Sequence, residues 1–337
     1  MNSIERIKAA VNFETPDRVP VIAQVFGHAA TLAGVALRDY VQDGDLLARC
    51  QIQALERYDY DAVFALMDVN VETEAVGSNL TYRANQYPDV KSYALSGGAD
   101  VDSLSVPDPH QTARMPELLK AVRRLRQAVG DDVLVVGCVA GPMTLATQLI
   151  GIEKALYLAI DEPEQFAGLV DFATEVVIRF GIAQIEAGAH LPIVFDPSAS
   201  PAVIPPQFYR EFVLPRLKRL FAAFKQTGAV ANWLHTAGPT EAILPFYPQA
   251  GVDIANFDYC VNPLNALQAI PRTCLDGNIK SLSFVEETPE AIADESSKLL
   301  DRFADRGGFI LSSGCEIPPE SKPENVAAMV LATRKER

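Results

Sequence analysis

The stretch DVLVVGCVAG at residues 132–141, taken together with the two stretches that follow it, decides the fold class. This apolar run has the length of a strand. EPEQFAGLVDFATEVVIRFGIAQIEAG at residues 162–188 is amphipathic and has the length of a helix that ends at a glycine. A second apolar run, LPIVFDPS at residues 191–198, comes next. Near-continuous apolar runs are typical of strands buried on both faces of a parallel sheet, so the pattern predicts a strand–helix–strand unit.

The same alternation extends from this unit in both directions along the 337 residues. Further short apolar runs with the character of strands are VPVIAQV, YDAVFALMD, AVANWLH, VDIANFD, TCLDGN and GGFILSSGC. Amphipathic stretches of helical length lie between many of them. About eight repeats of strand and helix predict a (β/α)8 TIM barrel that forms a single domain over residues 1–337. A doubly wound open sheet is the alternative, but no GxGxxG motif follows the first strand.

The composition restricts the location and the partners of the protein. Its formal net charge is −14 and the charges are dispersed, which argues against a nucleic-acid partner and against binding to anionic membranes. No run approaches the roughly 18–20 apolar residues of a membrane span, and the N-terminus has no apolar signal core, so we expect a cytoplasmic protein. The five cysteines are odd in number and form no CxxC pair, which indicates free thiols in a reducing compartment.

Polar or small residues stand where the predicted strands end. They are Asp68, Cys138, Gly141, Asp196, His235, Asp258, Cys260, Asn278 and Cys315. Active sites of barrels form at the carboxyl ends of the strands, so this arrangement predicts one polar cavity there. An Asp after a strand can also cap the next helix, which is the alternative for Asp68 and Asp258. Cys138 and Cys274 can equally be small core residues.

Two of these residues have the chemistry of metal ligands. His235 ends an apolar strand and precedes a Gly-Pro helix start, so its imidazole can bind a metal or take a proton. Cys315 follows another apolar strand and a glycine, in a turn closed by two prolines. If the two side chains share a cavity, a soft divalent metal, zinc first, is their natural common partner.

Two further residues are candidates for the same cavity. Asp196 lies in FDPSAS, where Ser198 and Ser200 can cap a helix in its place, so we expect the carboxylate of Asp196 in the barrel mouth. His28 follows the first strand and is the other histidine that can face the cavity.

At these residues the chain resembles the uroporphyrinogen decarboxylase superfamily, and in particular its corrinoid-linked branch, the methylcobalamin:coenzyme M methyltransferases and their bacterial relatives. The resemblance runs almost end to end. It is carried by ERIKAAVNFETPDRVPV, YDAVFALMDVNVETEAVG, RMPELLKAV, GCVAGPMTLATQLIG, FDPSASPAVIPPQFYREFVLPRLKRL, HTAGPT, LDGNI and GGFILSSGCEIPPESKPENV. It implies a (β/α)8 barrel, in agreement with the pattern of strands and helices.

The sequence departs from the decarboxylases of this superfamily at one informative segment. They carry an arginine-rich stretch near the N-terminus that grips the carboxylates of the substrate. The corresponding stretch here, residues 23–31, is AQVFGHAAT and contains no arginine. A substrate with eight carboxylates would find few cationic partners, so the resemblance implies a chain without decarboxylase activity.

A second departure concerns the metal. The methyltransferase branch binds zinc through a His-x-Cys pair and a distant Cys; His235 and Cys315 match the first and the last, but Ala237 stands in place of the near Cys. Either the metal is lost, or another group fills the gap, for which Asp258, Cys260 and Glu316 are the candidates by predicted position. An oxygen ligand would make zinc a stronger Lewis acid, which suits an oxygen- or nitrogen-bound methyl group better than a thiol.

The expected function is therefore that of a zinc-assisted, corrinoid-dependent methyltransferase. It would move a methyl group between a small methylated donor, such as a methoxylated compound or a methylated amine, or a thiol or folate acceptor, and the cobalt of a separate corrinoid protein. The chain has no DxHxxG stretch for corrinoid binding, so methylcobalamin would be held by this partner. Whether the chain forms a homodimer is left open.

We assign catalytic roles to Asp196 and Asp68, and contacts with the substrate to His28, Gln148 and Asn278. Two alternatives from other functional classes remain. One is a lyase or decarboxylase that uses Asp68 without a metal. The other is a non-catalytic protein that binds a corrinoid, a tetrapyrrole or another small molecule.

Overall fold

A parallel sheet curled into a barrel forms the centre of the protein. The structure, a computed structural model, describes residues 1–96 and 101–334. Its strands are β1 (Val21–Ile22), β2 (Ala62–Ala65), β3 (Asn79–Arg83), β4 (Gln86–Ser92), β5 (Leu134–Ala140), β6 (Leu191–Phe195), β7 (Trp233–His235), β8 (Ile254–Asn256), β9 (Cys274–Ile279) and β10 (Phe309–Ser313). Eight of them form one sheet of parallel pairs in the order β1-β10-β9-β8-β7-β6-β5-β2. The eight predicted strands and the (β/α)8 fold class are confirmed.

The barrel is nearly closed between β1 and β2, the two ends of this strand order. The amide of Asp61, one residue before β2, donates to the carbonyl oxygen of Val21 at 2.9 Å. The Asp61 carboxylate is fully buried here and accepts the Val21 amide at 2.8 Å. It also accepts one bond from Arg6 at 2.6 Å and another from Arg18 at 2.8 Å. This ion cluster joins the first two strands at the amino end of the barrel.

Side chains alternate between the inside and the outside of the barrel along each strand. The inside is filled by one apolar cluster, which includes Phe64, Ile193 and Trp233. A larger cluster packs the outer faces of the strands against the helices. Cys138 and Cys274 are buried in the inner cluster, so the alternative interpretation of both as small core residues is the one the structure supports.

The helices pack around the barrel, and many of them begin with a proline in the first turn or with a side-chain cap. They are α1 (Ser3–Val11), α2 (Gly27–Leu32), α3 (Leu37–Tyr40), α4 (Gly44–Tyr58), α5 (Val71–Val76), α6 (Met115–Val129), α7 (Pro142–Ile150), α8 (Ile152–Asp161), α9 (Pro163–Glu186), α10 (Pro206–Phe208), α11 (Leu214–Thr227), α12 (Tyr247–Ala250), α13 (Pro263–Ala269), α14 (Ser283–Glu286), α15 (Pro289–Phe303) and α16 (Pro323–Ala332). A π-helical turn, Tyr209–Val213, joins α10 to α11.

The hairpin of β3 and β4 lies outside the barrel and was not predicted from the sequence. Its strands are mostly exposed or half-buried, so they lack the apolar runs by which the barrel strands were found. The hydroxyl of Tyr87 in β4 accepts the Gly27 amide at 2.9 Å and donates to Glu316. Gly27 follows β1 and Glu316 follows β10, so the hairpin is anchored at the rim where the strands end.

No single helix in the described parts of the chain is long and apolar enough to cross a membrane. As a pair, α7 and α8 meet the same test of length and composition, but the two are bent by 103° relative to each other. Most side chains of α7 are buried inside the protein.

Candidate active site

Polar side chains line one half of the barrel interior near the carboxyl ends of the strands. On β7, β8 and β9, His235, Asn256 and Asp276 each lie two residues beyond an apolar side chain of the inner cluster, so all three point inward. They are also neighbours across the sheet, because His235 pairs with Asn256 and Asn256 pairs with Asp276. Gln24, two residues beyond β1, and Ser312 of β10 continue this half, with the Gln24 amide 3.4 Å from the Ser312 hydroxyl.

The opposite half of the interior is aromatic. Phe26 packs edge-on against Phe64 and Phe195, with ring centroids 5.1 and 5.9 Å apart. Phe64 also lies 6.0 Å from Trp233, and Phe195 lies 4.8 Å from the ring of His235. The interior therefore has a polar wall and an aromatic wall.

His235 belongs to the polar wall and also contacts the aromatic one through Phe195. It is almost fully buried, and its Nδ1 has no hydrogen-bond partner in residues 1–96 and 101–334. Burial lowers the pKa of the imidazole to about 3, so the ring is neutral at physiological pH. A neutral ring with a free nitrogen can donate one hydrogen bond to a ligand or accept one from it, depending on the tautomer.

Asp276 is a buried carboxylic group that the sequence analysis did not single out. Its Oδ2 accepts the Asn256 side-chain amide at 2.9 Å, and its Oδ1 has no partner among the described residues. Burial raises the pKa of Asp276 to about 7, against the opposing effect of its hydrogen-bonding neighbours Asn256, Ser312 and Trp233. Near neutral pH this group therefore exists in both protonation states.

Asp258 connects the two chain segments that carry the predicted zinc ligands. Its Oδ2 accepts the Gly238 amide at 2.8 Å, in the loop that follows His235. Its Oδ1 lies 2.8 Å from the position that a Cβ on Gly314 would take, just before Cys315. The thiol of Cys315 is half-buried, and burial raises its pKa to about 11.

The side chains present do not fit a resident zinc ion. No three His, Cys, Asp or Glu side chains within residues 1–96 and 101–334 are placed to share a metal. The candidates for the missing ligand are engaged elsewhere or exposed. Asp258 accepts backbone amides on both carboxylate oxygens. Glu316 accepts the Gly27 amide and the Tyr87 hydroxyl, and Cys260 is exposed. We therefore derive no chemical step through zinc.

Asp68, predicted to be catalytic, is bound by a cation. The Arg114 guanidinium lies against both oxygens of the Asp68 carboxylate, and the Asn70 amide donates to Oδ1 at 2.8 Å. Arg114 also pairs with Glu74 and donates to the Val41 carbonyl at 2.9 Å. In this arrangement Asp68 holds Arg114 in place, which leaves the catalytic role of Asp68 a prediction.

The Asp196 carboxylate, expected to make its bonds inside the barrel mouth, bonds to the start of α7. Its Oδ1 accepts the amide of Thr144 at 2.8 Å and the hydroxyl of the same residue at 2.7 Å, in the first turn of α7. Phe195, the preceding residue, occupies the inner cluster, so the alternation of the strand turns Asp196 outward. Gly141 leaves room for the Asp196 carboxyl group, because a Cβ at this position would lie only 2.1 Å from the carboxyl carbon. Asp196 therefore caps α7 through Oδ1. Its buried Oδ2 has no hydrogen-bond partner among the described residues, and burial raises the pKa of the carboxyl to about 6, so its catalytic role stays a prediction.

The predicted substrate contacts are largely engaged by protein groups. Both ring nitrogens of His28 have partners, the Tyr58 hydroxyl at 2.8 Å and the Pro319 carbonyl at 3.3 Å. The Asn278 amide donates to the carbonyls of Asp258 and Val261. These two side chains therefore stabilise loops at the barrel rim.

Gln148, the third predicted contact, lies on α7. Its side-chain carbonyl accepts the Thr73 hydroxyl at 2.7 Å, and the residue is half-buried. Its role in substrate binding stays a prediction.

The residues that sequence reasoning missed are Gln24, Arg114, Asn256 and Asp276. For Asn256 and Asp276 a signal was present: each is a polar residue inside an apolar strand, two positions from another inward residue. Arg114 precedes α6 with no such pattern, and only the folded chain brings its guanidinium to Asp68, 46 positions away.

Comparison with known proteins assigns the family. A family model described as uroporphyrinogen decarboxylase (URO-D) matches residues 2–336. The chain belongs to the uroporphyrinogen decarboxylase family. The resemblance inferred from the sequence motifs is confirmed.

Members with two different activities are similar to this URO-D chain. The methylcobamide:CoM methyltransferase MtaA of Methanosarcina barkeri is 29% identical over 336 residues, 97% of this chain and 96% of that protein. The uroporphyrinogen decarboxylase of Syntrophotalea carbinolica is 30% identical over 85% of this chain and 82% of that protein. A solved methyltransferase from Methanosarcina mazei superposes with a TM-score of 0.91 at 26% identity, covering 99% of this chain and 98% of its own.

Proposed function

We propose that this protein is a methyltransferase that moves a methyl group between a small methylated compound, or a thiol or folate acceptor, and the cobalt of a corrinoid on a separate protein. Relatives that cover nearly the whole chain and carry the name methylcobamide:CoM methyltransferase support the proposal. The corrinoid would supply the cobalt that exchanges the methyl group. The zinc assistance expected from the sequence is not part of the proposal, because the side chains present do not fit the ion.

The charge of the barrel interior is the observation that favours methyl transfer over decarboxylation of a polycarboxylate. The inward side chains of the polar wall are neutral or acidic, and the segment at residues 23–31 has no arginine. Arg114 is already neutralised by Asp68 and Glu74. A substrate rich in carboxylates would meet repulsion from Asp276 and little compensating positive charge.

The residues of this chain bind and orient the substrate in this proposal. His235 exchanges one hydrogen bond through Nδ1, and it remains uncharged because burial holds its pKa near 3. The walls formed by Phe26, Phe64 and Phe195 hold the apolar side of the substrate and exclude water. The methyl group would face the open mouth, where the corrinoid of the partner protein can reach it.

A methyl-transfer assay tests this proposal. The protein is incubated with free cob(I)alamin and a panel of methoxylated compounds and methylated amines, and methylcobalamin is followed by its absorbance. The reverse assay starts from methylcobalamin and thiols. We expect donor-dependent transfer that falls at least about tenfold in His235→Ala, through loss of an oriented hydrogen bond to the substrate. His110→Ala, a change at an exposed loop residue, should retain full transfer.

Each other outcome points to one alternative. Release of carbon dioxide from uroporphyrinogen without any methyl transfer would identify a decarboxylase. Binding of a corrinoid or tetrapyrrole with neither reaction would identify a binding protein.

A further inference from the structure

The large apolar side chains that the protein exposes are concentrated at one end of the barrel. Of the ten in residues 1–96 and 101–334, seven lie at the carboxyl end of the strands, around the mouth of the candidate site. The other three, Met1, Val230 and Leu331, lie toward the amino end. Single exposed apolar residues are ordinary on a protein surface, but a concentration of them around an opening indicates an interaction surface.

One group of these side chains lies on α8. This helix buries two small residues, Ala155 and Ala159, and exposes the large Ile152, Tyr157 and Ile160. The exposed fractions of Ile160, 75%, and Tyr157, 60%, are the highest of the ten. A surface helix that packs only within its own chain turns its large apolar residues toward the core. The exposed face of α8 therefore favours contact with another molecule.

The connections of α8 place it beside the mouth. The next helix, α9, has 24 residues, or about 36 Å, and ends just before the amino end of β6. The start of α9, and α8 before it, therefore lie at the carboxyl end of the barrel. Tyr93, which follows β4, packs against Gly151 at the start of α8. We call Tyr93, Ile152, Tyr157 and Ile160 the α8 patch.

The second group lies across the mouth from the first. Tyr259 and Leu264 belong to the segment after β8, and Leu282 belongs to the loop after β9. Lys280 connects the two loops, because its ammonium group lies 6.0 Å from the centre of the Tyr259 ring. We call Tyr259, Leu264 and Leu282 the β8–β9 patch. In the order of eight strands β9 is four places from β5, the strand that leads into α7 and α8, so the two patches flank the opening on opposite sides.

Acidic residues surround both patches. Those exposed beside them are Glu153, Asp161, Glu162, Glu164, Glu241 and Glu286. Lys154 is the only cation of α8, and Lys280 is already paired with Glu286 at 3.7 Å. A second copy of this chain would bring the same acidic groups against them. A partner with lysine and arginine around an apolar centre matches both patches in charge and in polarity.

We propose that the α8 patch and the β8–β9 patch dock the corrinoid protein, through a face of that protein on which lysine and arginine surround apolar side chains. This inference rests on the proposed methyltransferase function, which needs a corrinoid held by a separate protein. A partner that contacts both patches spans the opening between them. Its corrinoid therefore lies above the barrel interior, at the place where the methyl group crosses from one protein to the other.

Direct binding tests the docking surface. Small corrinoid proteins of the same organism, identified by their DxHxxG motif, are loaded with hydroxocobalamin and titrated against the protein by biolayer interferometry. We expect one of them to bind, more weakly as salt is added. Tyr157→Ala combined with Ile160→Ala should weaken this binding at least about tenfold, and so should Leu264→Ala combined with Leu282→Ala. Leu331→Ala changes a leucine as exposed as Leu264, but near the amino end, and should bind as the wild type does.

Transfer assays separate docking from chemistry. With free cob(I)alamin as the methyl acceptor, both double variants should match the wild type, because free cobalamin does not use the docking surface. With the reduced corrinoid protein as the acceptor, the concentration that gives half the maximal rate should rise at least about tenfold in both. A general loss of structure would lower both activities together, and circular dichroism with thermal melting checks that the variants are folded.

The docking surface is refuted if no corrinoid protein binds, or if the double variants bind as the wild type does. It is also refuted if sedimentation shows a homodimer that the double variants dissociate, or if phosphatidylcholine vesicles bind the wild type and not these variants. Transfer to free cob(I)alamin without docking would leave the methyltransferase standing and remove the surface. Docking that the double variants lose, without transfer to either acceptor, would do the reverse.

Discussion

Burial, more than charge pairing, sets the protonation of several carboxyl groups in this protein. Glu72, Asp276 and Glu316 are each buried enough to raise their pKa to about 7. Glu72 accepts the Ala140 amide at 2.9 Å, whereas Asp276 keeps one oxygen without a partner in the described residues. At the scale of single residues, the barrel interior therefore holds groups that change charge near neutral pH.

We predict that Asp276→Asn stabilises the protein more at pH 8 than at pH 5. The raised pKa of Asp276 in the folded state means that its stabilising, protonated form is present at low pH and is lost as pH rises through about 7. The difference in unfolding free energy between variant and wild type should grow by at most about 1.4 kcal/mol per pH unit from pH 5 to 7, then level off. Urea denaturation of both proteins from pH 5 to 8 measures this difference. If the unfolding free energies of variant and wild type change with pH in parallel, Asp276 does not have a raised pKa.

A second residue-scale prediction concerns Ala237. It is half-buried, two residues beyond His235, and contributes no metal ligand. Ala237→Cys adds a thiolate to the imidazole of His235 and the thiol of Cys315, so zinc affinity should rise at least about tenfold. Competition with a chromophoric chelator measures the affinity. The double variant with His235→Ala should lose the gain. An unchanged zinc affinity in Ala237→Cys would mean that the three side chains do not share one site.

At the scale of elements, helix ends are stabilised by side chains from other parts of the chain. The first turn of α7 receives the Asp196 carboxylate from the end of β6, and Gly141 leaves the space for it. The hairpin of β3 and β4 is anchored in the same way, through Tyr87 and the first residue of α2. These contacts fix the loops of the rim relative to the barrel strands.

The cap on α7 gives a prediction that distinguishes structure from catalysis. Asp196→Ala removes the acceptor of the Thr144 amide and hydroxyl, and should lower the free energy of unfolding by about 1–2 kcal/mol. Asp196→Asn keeps one acceptor oxygen, so its stability should stay near that of the wild type. Chemical denaturation of both variants, with methyl transfer measured in parallel, is the test. Loss of transfer in the stable Asn variant would return Asp196 to a catalytic role.

At the scale of the whole molecule, closure of the barrel depends on one buried anion. Asp61 joins β1 to β2 through backbone bonds, and it also accepts the Ser3 hydroxyl at 2.8 Å besides bonds from two arginines. Through these contacts α1 covers the amino end of the barrel. The carboxyl end is left for the site, which is the usual division of stability and function in this fold.

We predict that Asp61→Asn lowers the free energy of unfolding by about 3–5 kcal/mol, because Arg6 and Arg18 lose the charge that compensates their burial. Asp17→Asn is the matched control: Asp17 pairs with the same Arg6 but is half-exposed, so its loss should cost less than about 1 kcal/mol. Urea denaturation followed by Trp233 fluorescence compares the two. Equal effects would mean that the ion cluster does not hold the barrel closed.

The sequence by itself determined the fold class, the barrel strands and the family. Strands buried on both faces must be apolar along their whole length, so β5 and β6 were visible as runs without knowledge of any partner. The end of each strand was visible for the same reason, and with it the placement of His235 at the carboxyl end of the barrel.

Only the tertiary structure decided what the side chains at those ends contact. Which way a terminal residue points depends on strand alternation and register, so Asp196 turned outward to α7 while His235 turned inward. Hydrogen-bond partners come from elements far apart in the chain, as Asp68 and Arg114 show. The environment of Asp276 emerged in the same way, because only the folded chain shows that no cation of the described residues pairs with this buried carboxyl.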